Sequence, residues 1–73
     1  MYALINTMTQ IPGDSLGTVL SLHRTAEAAE RADAALQRAI KRANGETSYL
    51  PTCIVRLTRR PAGRYIGNDE WEG

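Results

Sequence analysis

Cys53 is the only thiol and His23 the only imidazole in the chain, so any nucleophilic catalysis must draw on them. A thiol needs a base or positive surroundings to ionise, and a serine hydroxyl needs an imidazole beside it. Ser15, Ser21, Ser48 and Cys53 are the conceivable partners of His23, and no motif fixes any such pair in space. Cys53 also falls in the alternation Cys53, Val55, Leu57, where a thiol reads as core filler. His23 closes an alternating run, which suits a partly exposed ring bonded to a backbone carbonyl.

Metal and phosphate chemistry lack the required residue sets. One His and one Cys fall short of a zinc site, and His23 with Glu27 and Glu30 straddles a junction between two elements. Gly13 and Gly17 precede a strand, and Thr25 opens a helix without a glycine-rich cradle, so neither nucleotide fingerprint is met. The expectation is a non-enzymatic protein with no metal and no cofactor.

Charge is the remaining chemical signal. The net value is only +1, too small to imply a nucleic-acid or membrane partner for the molecule as a whole. Its distribution is uneven. Arg38, Lys41, Arg42, Arg56, Arg59, Arg60 and Arg64 face the single acid Glu46 between them, whereas the closing NDEWEG is acidic.

The elements that must position these groups begin with the run Thr25–Gly45. Thr25 is a good N-cap because its hydroxyl can accept from an amide of the first turn. Ala29, Ala32, Leu36, Ala39, Ile40 and Ala43 repeat at three-and-four spacing and form one apolar stripe. Glu27 and Glu30 near the start and Arg38, Lys41 and Arg42 near the end complement the helix dipole, and Gly45 supplies the residue that closes many helices. Tyr2–Gln10 reads as a first strand, and Thr18–Arg24 as a second, with Leu20 and Leu22 on one side and Val19, Ser21 and His23 on the other. Pro12 and Gly13 suit the centre of a type II turn between them. Thr52–Arg59 reads as a third strand with Cys53, Val55 and Leu57 on its apolar side.

These pieces assemble into a single α+β domain at residues 1–60 with a C-terminal tail at 61–73, docked or flexible. The expected architecture is a two-layer ββαβ unit: a three-stranded antiparallel sheet of order 2-1-3 with the long helix packed on Leu20, Leu22, Val55 and Leu57. A chain of 73 residues buries only about 60% of its unfolded surface, so its stability is marginal and oligomerisation is a natural supplement. A lone cysteine, with no basic leader and no long apolar span at the start, points to a cytoplasmic protein outside the membrane.

The sheet side away from the helix is the expected binding surface. Arg56, Thr58 and Arg60 alternate onto it, Ile54 lies among them, and Tyr65 and Trp71 of the tail can reach it. Such an apolar surface calls for cover from the tail, from a second copy or from another protein. The six residues Ile54, Arg56, Thr58, Arg60, Tyr65 and Trp71 are therefore the expected contacts of a protein partner or of a homodimer. The unpaired edges of the second and third strands offer another route, by strand addition. The alternative is a nucleic-acid-binding sheet with Arg56, Arg59, Arg60 and Arg64 on phosphates or bases.

Overall fold

A computed structural model of the chain describes residues 1–9, 15–61, 63–67 and 70–72. In chain order the elements are β1 (Tyr2–Asn6), a 3-10 turn (Thr7–Thr9), β2 (Ser15–His23), α1 (Ala26–Asn44), β3 (Thr52–Leu57), β4 (Tyr65–Gly67) and β5 (Trp71–Glu72). The expected turn at Pro12 and Gly13 lies outside the described residues. The first strand ends at Asn6 rather than Gln10, because the Asn6 side chain accepts from the Met8 amide at 2.9 Å and bends the backbone into the 3-10 turn.

All pairings are antiparallel, and the order is β4-β2-β1-β3-β5. The core order 2-1-3 is as the sequence implies, but the sheet has five strands instead of three. The extra two come from the tail, with β4 beside β2 and β5 beside β3. They lie at opposite margins, yet the Glu70 amide donates to the Gly67 carbonyl at 3.1 Å, which brings the start of β5 close to the end of β4. The sheet therefore curls back on itself, and β4 and β5 act as a strap of two marginal strands whose Ile66 and Trp71 pack on one cluster.

This strap reverses the expected assignment of faces. Ala3, Ile5, Val55, Leu57 and Ile66 form one buried cluster inside the curl, with Val19, Cys53 and Trp71 packed against it. The helix takes the other face. Thr52 Oγ1 donates to Asp33 Oδ1 at 2.7 Å, and Ile54 and Leu4, paired across β3 and β1, share the side of Thr52. Val55 and Leu57 thus point away from the helix, contrary to expectation. The cause is polarity. The wholly apolar row of β3 gains most from a dry interior closed by Ile66 and Trp71. The mixed row of Thr52 and Ile54 matches a helix face that carries Asp33 and Gln37 among its alanines.

A β-bulge completes the inner cluster. The register of β1 on β2 steps from Leu4–Ser21 to Ile5–Val19, so Leu20 is one residue in excess. Regular alternation would put Val19 on the side of Ser21 and His23. The bulge turns it inward opposite Ile5, and the strand bends at that point.

The helix itself follows its sequence closely. Thr25 Oγ1 accepts from the Ala28 amide at 3.1 Å, and the Gly45 amide closes the C-terminus on the Lys41 carbonyl at 2.8 Å. Ala29 is its fully buried residue, Leu36 and Ile40 are half-buried, and Ala43 is exposed. Gln37 ties it to the chain entering β3. Its Nε2 donates to the Leu50 carbonyl at 2.8 Å while its Oε1 accepts from the Leu50 amide at 3.0 Å.

Candidate interaction surface

The six residues expected to meet a partner do not form one surface. Trp71 packs against the inner cluster, and Ile54 is half-buried on the helix side. Arg56, opposite Tyr2 on that same side, is exposed and pairs with Glu72 of β5, Nε to Oε2 at 3.7 Å. Tyr65 sits at the opposite margin beside Thr18. Thr58 and Arg60 belong to the exposed connection between β3 and β4, where the Thr58 amide donates to the Glu70 carbonyl at 2.9 Å. The sheet side away from the helix, expected to await cover, is covered in part by the chain's own tail through Ile66 and Trp71.

The four arginines of the nucleic-acid reading divide in a similar way. Arg56 is engaged with Glu72 of β5, and Arg59, Arg60 and Arg64 lie in the 58–64 connection, a stretch without an acid. All four side chains are exposed.

Ser21 and His23 do meet. Two residues apart on one strand face, Ser21 Oγ and His23 Nε2 lie 2.6 Å apart. Nucleophilic use of that hydroxyl requires a third group to orient the ring and donors to hold a developing oxyanion. Among the described residues no carboxylate is bonded to the other ring nitrogen, and no cleft encloses the pair. Cys53 is half-buried, and burial pushes its thiol above the usual range, away from the thiolate a nucleophile needs.

What the described surface offers instead is an incomplete sheet edge. β2 spans nine residues, but β4 pairs only with Ser15–Thr18, and the Val19 amide ends that ladder by donating to the Arg64 carbonyl at 2.6 Å. Beyond it, Ser21, Leu22 and His23 pair with Leu4, Ala3 and Tyr2 of β1 on one side. Among the described residues no strand lies on the other side. The open stretch Leu20–His23 is about 13 Å long, room for a strand of four residues. Leu20 and Leu22 on this edge are 41% and 36% exposed, unusually open for leucines on a sheet.

The ends of the opening are basic. Arg64 bounds it where β4 begins, and His23 and Arg24 bound it where β2 ends. Neither 15–25 nor 58–67, the two segments that frame it, contains an Asp or Glu. From sequence, the free edge of the second strand was expected as a route for strand addition, Arg64 as a nucleic-acid contact and His23 as the one imidazole, but none of them was tied to the others. That Leu20 and Leu22 alternate as a pair was legible, but the helix expected to cover them lies on the other face, since Leu22 stands opposite Ala3. Their exposure was not legible, because it depends on how far a three-residue strand reaches along β2.

Comparison with known protein families, curated proteins and solved structures finds no match to this chain.

Proposed function

We propose that this chain is a non-enzymatic interaction module that binds a protein partner by taking an extended segment along the outer edge of β2 at Leu20–His23. One observation carries the reading: among the described residues, four residues of strand lack an outer neighbour and bear two exposed leucines, while Ala3, Leu4, Ile5, Val55, Leu57 and Ile66 are buried. Unpaired backbone donors and acceptors give such an edge its affinity for a strand, and alternate side chains give it selectivity. The lack of a cleft among the described residues favours binding over turnover. The expectation of a cytoplasmic setting rests on the single free cysteine.

The test is selection of random peptides on the folded protein, followed by mapping of amide chemical-shift changes. Selected peptides are expected to perturb Leu20–His23 and to lose binding to the Leu20→Lys, Leu22→Lys variant, whose far-ultraviolet circular dichroism stays native. Shift changes confined to another surface refute the reading.

A second reading, nucleic-acid binding, draws on the acid-free 58–64 connection with Arg59, Arg60 and Arg64. It requires an affinity for random oligonucleotides that falls steeply with salt and drops further in the Arg60→Ala, Arg64→Ala variant. Salt-independent or undetectable binding at low ionic strength eliminates it.

A further inference from the structure

Resting on the reading of Leu20–His23 as a strand-accepting edge, we infer that its occupant is an acidic, extended segment of another protein, with carboxylates at both ends of a short apolar alternation. Two independent features of the opening select it. Its floor is apolar, Leu20 and Leu22 being exposed beside the buried Ala3 and Ile5. Its two ends are cationic, Arg64 at the β4 side and Arg24 at the far side, with His23 next to the latter and no acid in the segments that frame it.

A guest strand that continues β4 runs antiparallel to β2. Its C-terminal end then abuts Arg64, and its N-terminal end lies beside Arg24. About 13 Å separates those ends, so four residues bridge the leucines and bring an acidic residue to each arginine. Guanidinium and carboxylate groups match in geometry, and a partly covered edge screens such pairs less than open water does.

A second copy of this chain fits the same edge poorly. Antiparallel self-pairing centred on Ser21 sets Leu20 against the partner's Leu22, which is favourable. It also sets His23 against the Val19 position, whose amide is already bonded to the Arg64 carbonyl, and drives Arg24 toward the end of β4 where Arg64 lies. The ladder is cut to three residues and brings like charges together at both ends.

Three synthetic peptides with the same alternating Val/Thr core, flanked by Glu, by Ser or by Lys, test the inference on the full chain. The Glu-flanked peptide is expected to bind about tenfold more tightly than the Lys-flanked one at low salt, the sum of two modest ion pairs, and the gap narrows as salt rises. Its binding should shift the amides of Leu20–His23. Replacing both ends, Arg24→Glu with Arg64→Glu, should invert the order of the three peptides while circular dichroism stays native; if that variant unfolds, Arg24→Gln with Arg64→Gln should abolish the preference. Equal binding of all three at Leu20–His23 overturns the acidic occupant and leaves the strand-accepting edge standing. No shift at those amides with any peptide overturns both. Displacement of the Glu-flanked peptide by a random oligonucleotide at equal charge concentration overturns the protein partner in favour of nucleic acid.

Discussion

At the scale of single residues, polar side chains connect the helix to the sheet. Gln37 forms both a donor and an acceptor bond with the backbone of Leu50 and donates to Asp33 Oδ1 at 3.1 Å, while Asp33 accepts from Thr52. Gln37→Ala leaves the Leu50 amide and carbonyl part-buried without partners. It should cost about 1–3 kcal/mol and lower the melting temperature by roughly 4–8 °C for each of them. A melt within a degree of the parent would show that water replaces the amide at no cost. Cys53 gives the matching prediction for pH. Burial raises the folded-state value of its thiol, so the folded chain holds that proton more tightly than the unfolded one. The resulting stability is complete below the ordinary thiol range and declines as pH climbs through the raised folded value. Urea midpoints should therefore fall with alkaline pH more steeply in the parent than in Cys53→Ala. Alkylation of the native thiol near pH 8 should be slower than in urea.

Among the elements, the strap is the weakest in length and the most consequential in position. β4 and β5 have three and two residues, yet Ile66 of β4 is completely enclosed and Trp71 of β5 packs beside it. Ile66→Ala should cost about 2–5 kcal/mol against a total near 4–11 kcal/mol for a chain of this size, a large share of the whole stability. Trp71→Phe should be far milder. The indole Nε1 is buried without a partner, so the substitution removes an unsatisfied donor along with part of the ring. Chemical denaturation of the two variants checks the order; a Trp71→Phe loss equal to that of Ile66→Ala would mean the indole nitrogen is not what limits this site. The same elements mark what the sequence could disclose. Thr25, the alanine stripe and Gly45 agree on one helix because capping and periodicity act locally. Strand order 2-1-3 follows from a hairpin and a crossover. β4 and β5 are too short for alternation to register, and the bulge at Leu20 breaks the rule by which Val19 would share the side of Ser21 and His23. The candidate site inherits both gaps. Leu20 and Leu22 were legible as a pair, but the edge exists only because β4 stops at Thr18.

For the molecule as a whole, the choice lies between a chain that completes its sheet with itself and one that leaves an opening for others. Self-completion has largely occurred: the two tail strands take one part of each edge, Ser15–Thr18 on β2 and Arg56–Leu57 on β3. What remains at Leu20–His23 can hold a short foreign strand, but in the register centred on Ser21 it admits only three residues of a second copy before Arg24 meets the end of β4. A three-residue ladder between two exposed edges buries far less than a stable homodimer requires, since specific interfaces occupy about 800 Å² per partner. The protein should therefore sediment as a monomer up to the highest soluble concentration, at low salt as well as high, although small domains without disulfides often associate. Replacing Arg64 by Glu supplies each opening with the carboxylate that Arg24 of another copy lacks in the parent. Weak, salt-sensitive self-association should then appear. A parent that already dimerises with the Leu20–His23 amides protected from exchange would show that its own second copy closes the sheet, and the foreign acidic strand would have no place to bind.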